Sequence, residues 1–192
     1  MPAEKPKLID GAERRSASAT KPTRRSVMTG GLMATLIQLR GVPVVGVMAR
    51  VALRLIWRME IPPSVTIGEG TIFLHGNSTF IHPNARIGRH CVIAHLVTVG
   101  LQDLADTDGA AGTPIILEDH VMISPGAKVL APPEGPTVGR GTLVAANAAL
   151  SESTGEWEIW GGVPARRLTN RTPPPTFAKN FPGEGPGESR QS

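Results

Sequence analysis

The sequence predicts an all-β solenoid of six-residue repeats, preceded by an N-terminal helical segment. Three observations carry that expectation. Apolar residues recur every six positions over most of residues 67–150, Gly and Pro number 22 and 18 of 192 residues, and aromatics make up 4% of the chain with no Tyr. So much Gly and Pro implies either disorder or a turn-rich fold, and the phase of the apolar residues selects the second.

Written in sixes, the chain opens its repeats at Ile67 and Phe73, then at Ile81, Ile87, Ile93 and Val99. The phase returns at Leu117, Ile123 and Val129, and again at Val138, Val144 and Leu150. Neither a helix nor a simple strand has a six-residue period. A solenoid with short flat faces does, because each six supplies one short strand and one turn. The opening apolar residue points inward, and a small residue after it lets the chain turn the corner. Stacked strands then satisfy each other's backbone hydrogen bonds about 4.8 Å apart. Cys91 occupies a small position of this pattern and is read as a core residue; as the single cysteine it forms no internal disulfide.

Three irregularities interrupt the beat. Phe73 to Ile81 is eight residues instead of six, residues 100–114 lack the pattern and hold Asp103, Asp106 and Asp108, and Ala131-Pro132-Pro133-Glu134-Gly135 breaks a later repeat. Insertions into a rigid scaffold are where binding surfaces are usually built.

Outside the repeats, residues 1–25 read as a disordered basic arm and 26–59 as a helical segment of two helices, split near Gly41-Val42-Pro43 because Pro43 cannot continue a helix. Residues 60–168 form the repeat domain, and 169–192 a Pro/Gly-rich, mobile tail. In the second helix Val44, Val47, Met48, Val51 and Leu55 form an apolar stripe, with Arg50, Arg54 and Arg58 on another face. That arginine row reads as a solvated face, with contact to an acidic membrane surface as its alternative. No uninterrupted apolar run reaches the ~18 residues of a membrane span. Thr23-Arg24-Arg25-Ser26-Val27-Met28 loosely resembles a twin-arginine export signal but reads better as a basic helix start, and a cytoplasmic location is expected.

Charge is divided unevenly. Residues 1–60 carry 11 Lys/Arg against 4 Asp/Glu, and residues 61–192 carry 9 against 12. Basic residues are not interleaved with aromatics, which argues against a nucleic-acid partner.

Of the five histidines, His75 and His95 each sit two places after an opening apolar residue. One triangular turn is three sixes, and the insertion after Phe73 adds two residues, so the two side chains should stack on one edge, one turn apart. His82, His90 and His120 fall in turns and read as structural or solvent-exposed.

At this point a resemblance becomes specific. Glu60-Ile-Pro-Pro-Ser-Val-Thr-Ile-Gly-Glu-Gly-Thr-Ile-Phe-Leu-His75 resembles, without gaps, the active-site segment of serine acetyltransferases and related hexapeptide-repeat acyltransferases. Cys91–Gly100, Gly112-Thr113-Pro114, Pro125–Val129 and Gly162-Val163-Pro164-Ala165-Arg166 have counterparts in the same order. The resemblance implies a left-handed parallel β-helix, with His75 as catalytic base and Glu60 as the carboxylate that orients it. It implies acetyl-CoA as co-substrate and no metal. Lys128, Gly162, Ala165 and Arg166 would contact the CoA, and His95, Leu74 and Thr113 the acceptor. It further implies a homotrimer, or a dimer of trimers, with CoA between neighbouring solenoids.

The chemistry needs these residue types. An alcohol is a poor nucleophile at neutral pH, and an imidazole can take its proton during attack on a thioester. A carboxylate on the other ring nitrogen fixes the tautomer. Two departures from the family pattern concern the acceptor. Leu74 stands where serine acetyltransferases carry an acidic residue, and Gly112-Thr113 where they carry Arg-His. A sugar hydroxyl or another small alcohol is therefore expected as readily as serine. Two other readings stay open: a γ-carbonic-anhydrase-like zinc enzyme, because His90 and His95 are five apart, and a non-catalytic β-helix scaffold.

Overall fold

The computed structural model describes residues 31–102, 114–132, 135–182 and 184–186. Two helices, α1 (Gly31–Leu39) and α2 (Val45–Ile56), precede the strands. They break at Pro43 as the sequence predicts, with Val44 at φ 63° marking the reversal. Gly46 lets the start of α2 lie on the end of α1, since a Cβ there would come within 2.5 Å of the Arg40 carbonyl oxygen. The stretch of the predicted helical segment before residue 31, and the arginine pair in it, lie outside the described residues.

Short strands then follow in rotation. The first sheet takes β1 (Thr66–Ile67), β4 (Ala85–Ile87), β7 (Ile115–Leu117) and β10 (Thr137–Val138). The second takes β2 (Ile72–Phe73), β5 (Val92–Ile93), β8 (Met122–Ile123), β11 (Leu143–Val144), β13 (Glu158–Gly161) and β14 (Arg166–Asn170). The third takes β3 (Phe80–Ile81), β6 (Thr98–Leu101), β9 (Lys128–Ala131) and β12 (Ala149–Leu150). Every pairing is parallel except β13 with β14. Each turn of the chain thus lays one strand on each of three sheets, and each sheet grows by one strand per turn.

The six-residue beat is visible in the burial. Phe73, Ile81, Ile87, Ile93, Val99, Leu117, Ile123, Val129, Val138, Val144 and Leu150 all point into one narrow core, and Cys91 is buried among them. Ile67, in the first turn, is only partly covered. The small residue after the inward one also has a physical reason. A Cβ on Gly88 would lie 2.5 Å from Asp119 Oδ1 and 2.7 Å from the Asp119 backbone nitrogen, so the next turn could not stack.

Two expectations are corrected. The apolar stripe of α2 is not what packs: the helix buries Gly46, Ala49 and Leu53 and leaves Val44, Val47, Met48, Val51 and Leu55 exposed. Gly46 and Ala49 allow a close contact at the start of the helix, and Leu53 fills the core at its end. The tail is also not loose over its described part. β14 folds back as a hairpin, α3 (Thr176–Asn180) follows, and Phe177 and Phe181 pack against His120 at ring distances of 4.9 and 4.7 Å. These rings, with the hydrogen bond between His120 and Glu184, dock a segment whose Pro and Gly content suggests mobility.

Candidate active site

The eight-residue step after Phe73 builds the site. Phe73 pairs with Ile93 before the corner and Phe80 with Thr98 after it, so the first turn carries two residues more than the second between the second and third sheets. The extra length widens this corner into Leu74-His75-Gly76-Asn77-Ser78. His75 and Ser78 both take left-handed conformations, at φ 52° and 53°. His90, Leu96, His120 and Asn147 take the same conformation at other corners, so it is the turn geometry of the repeat, and the extra length is what sets this corner apart. Gly76 is buried against the end of the Met59 side chain, which a Cβ there would have to displace. The Ser78 backbone N–H donates to the Trp57 carbonyl at 2.8 Å, tying the corner to the end of α2.

On this corner His75 is exposed and His95 half-buried. Their ring centroids are 6.5 Å apart with planes at 72°, an edge-to-face pair one turn apart, as the spacing predicts. An exposed imidazole backed by a second one can meet a ligand on the outer surface and exchange a proton with it.

Glu60 enters beside this corner. Its backbone bridges Phe80 in parallel, donating to the Thr79 carbonyl and accepting from Ile81 N–H. Its carboxylate, however, accepts from Arg54 Nη2 at 2.7 Å. Among the described residues no hydrogen bond joins Glu60 to His75, so the structure brings the two histidines together and leaves the carboxylate on an arginine. Leu74 is half-buried and lines a cavity of about 350 Å³ between α1 and the first turn, with Met33, Ile37, Ile72 and Phe73. Sequence reasoning had no means of finding this cavity, because it depends on how α1 lies across β2.

The other proposed contacts lie further along the chain. Lys128 is exposed on β9, its ammonium donating to the Gly126 carbonyl at 3.3 Å. Gly162, at φ 97°, starts the turn into β14, and Ala165 is buried with its N–H on the Ala149 carbonyl. Arg166 pairs with Glu152 at 2.9 Å. Thr113 lies outside the described residues.

His90 and His95 turn out to occupy different corners. His90 lies between β4 and β5, stacked on His120 at 5.4 Å and against Phe181 at 4.7 Å. His95 lies between β5 and β6, against His75. Within one chain the two therefore cannot ligate the same ion. Burial lowers the His90 pKa from its ordinary value, and His120 adds to that. Burial also pushes the Cys91 thiol up to about 11, so it holds no thiolate for nucleophilic chemistry near neutral pH.

Solved structures share this fold. A serine acetyltransferase from Brucella abortus strain S19 in complex with coenzyme A superposes with a TM-score of 0.61 at 22% identity, covering 73% of this chain and 54% of that one. One from Vibrio cholerae O1 biovar El Tor gives 0.61 at 21%, covering 73% and 53%. One from Neisseria gonorrhoeae in complex with serine gives 0.57 at 21%, covering 69% and 51%. The chain has the fold of the serine acetyltransferases. It spans about half the length of these structures. No family model and no curated protein matches it.

Proposed function

We propose that this protein is an acetyl-CoA-dependent O-acetyltransferase that acts on a hydroxyl of a small acceptor, with His75 as general base. The observation that carries the proposal is the His75–His95 pair on a widened, left-handed corner of a serine acetyltransferase fold. In this reading the three sheets are the faces of a left-handed parallel β-helix over residues 60–168, the acyltransferase domain. The helical segment and the tail flank it. The protein works as a homotrimer in the cytoplasm, with CoA held between neighbouring solenoids.

His75 takes the hydroxyl proton as the acceptor oxygen attacks the thioester carbonyl, and returns it to the departing CoA sulfur. Backbone N–H groups would hold the tetrahedral oxyanion. Glu60 serves to orient the imidazole once its carboxylate exchanges Arg54 for the ring nitrogen. Lys128, Gly162, Ala165 and Arg166 contact CoA, and His95, Leu74 and Thr113 the acceptor. The two compared structures that hold coenzyme A and serine support a CoA thioester and a small hydroxyl compound as the substrates. Leu74, standing where the serine acetyltransferases carry an acidic residue, has no charge to pair with an amino group, which makes an uncharged acceptor such as a sugar as good a candidate as free serine.

Calorimetry with CoA, followed by acetyl transfer to a panel of serine, sugars and simple alcohols, tests the reading. Binding of CoA and turnover with at least one acceptor of the panel are expected. Absence of CoA binding would instead leave a scaffold.

A further inference from the structure

We infer that the α1–α2 hairpin is a docking surface for an anionic lipid bilayer. Three observations lead there. First, α2 is inverted relative to an ordinary amphipathic helix of a soluble domain. Its packed face holds only Gly46, Ala49 and Leu53, and most of its large apolar side chains face outward. Val44, Val47, Met48, Val51, Leu55 and Ile56 are all exposed, Met48 by 69% and Leu55 by 76%. At about 100° per residue, Val47, Val51, Leu55 and Met48 fall within one arc of roughly 100°, opposite the packed face, with Val44 exposed just before the helix. Single exposed apolar residues need no explanation, but a continuous ridge of this kind marks an interaction site.

Second, the ridge is flanked by positive charge. Arg50 and Arg54 lie along one side of it and Arg58 follows the helix, whose own residues include no acidic one. From Arg14 to Met59 the sequence holds nine Lys/Arg and no Asp/Glu. The first carboxylate after that, Glu60, is already engaged by Arg54. A second copy of the hairpin would therefore bring arginines without carboxylates to meet them. Phosphate headgroups would meet the arginines while the acyl region takes the apolar ridge, which is the pattern of helices that lie in the membrane interface.

Third, the geometry fits lying flat and not spanning. Twelve residues of α2 extend about 18 Å, well short of a bilayer core. Among the described residues no helix is long and apolar enough to cross a membrane. The apolar ridge and Arg58 lie outside the proposed base, CoA and acceptor contacts; only Arg54 touches them, through its pair with Glu60.

Co-sedimentation of the full chain with vesicles tests it. One set contains phosphatidylglycerol mixed into phosphatidylcholine, the other phosphatidylcholine alone. Partition onto the anionic vesicles should exceed that onto the neutral ones by ~tenfold and fall as salt is raised. Met48→Asp combined with Leu55→Asp should abolish it, and Arg58→Glu should weaken it by ~fivefold or more. Both first positions are exposed, so melting should be unchanged; if the double variant is destabilised, Arg58→Glu carries the test. Equal partition onto both vesicle types, or retention by a folded double variant, overturns the proposal. So does an assembly in solution that the double variant dissociates while vesicle binding is absent, which would assign the ridge to a second copy.

Discussion

Gly88→Ala probes the stacking of the turns directly. The added methyl would sit 2.5 Å from Asp119 Oδ1, 2.7 Å from the Asp119 nitrogen and 2.7 Å from the Glu118 carbonyl carbon. Two of these atoms are backbone of the next turn, held by the Gly88 N–H donating to the Leu117 carbonyl at 2.7 Å, so they cannot retreat without unpairing β4 from β7. Overpacking of this kind costs about 1–3 kcal/mol. Asp119 would also be pushed from the Arg89 N–H it accepts from at 2.7 Å and from the Arg89 guanidinium at 3.0 Å. Arg89 is about half exposed, so we count only the backbone bond to the carboxylate, roughly 1.5 kcal/mol. Alanine's smaller unfolded-state entropy offsets about 0.4–1 kcal/mol. The net expectation is a loss of roughly 2–4 kcal/mol, or a melting temperature lower by about 4–16 °C for a chain of this size. Thermal unfolding followed by far-UV circular dichroism reads this out. Gly41→Ala is the control: a Cβ there meets nothing within 4 Å, and its melting should stay within about 2 °C of the parent. If both variants melt alike, the close stacking of turns at Gly88 is refuted.

The docked tail should respond to pH. The hydrogen bond from His120 holds the Glu184 carboxyl below its usual range, and burial lowers the His90 pKa. Docking contributed by Glu184 is therefore full above the ordinary carboxylate range and lost as pH falls through its lowered value, while protonation of His90 opposes docking below the ordinary histidine range. Hydrogen exchange at 176–186 should rise on acidification, and Glu184→Gln should remove the carboxylate-range part alone; an unchanged profile in that variant refutes the assignment. Phe177→Ala should loosen the same segment and change the fluorescence of Trp157, whose ring lies 5.0 Å away, and an unaltered spectrum would count against the packing. Cys91, buried and with its pKa raised to about 11, should resist a thiol reagent at pH 8 until the protein unfolds; stoichiometric labelling of the native protein would contradict its place in the core.

The repeat region was legible because its side chains obey a single period. The inward residues from Phe73 to Leu150 could be read from the sequence, and so could the eight-residue step that brings His75 beside His95. What stayed hidden has a common physical cause, namely contacts between segments with no shared period. Nothing in the spacing of Gly46, Ala49 and Leu53 says that these residues, and not the valine and leucine stripe, are buried. The hairpin of β14, with Arg171 donating to the carbonyls of His120 and Gly141, closes a contact between distant parts of the chain. The pairing of Glu60 with Arg54 is of the same kind. The ungapped segment that places Glu60 and His75 in register says nothing of a helix arginine arriving from another direction.

The most direct test of the central proposal is acetyl transfer from acetyl-CoA by the parent and by His75→Ala, followed by release of the CoA thiol. The imidazole's removal should lower the rate by about 10²–10⁴-fold, with CoA affinity and melting temperature preserved. A His75→Ala protein that transfers acetyl groups as fast as the parent would contradict the account.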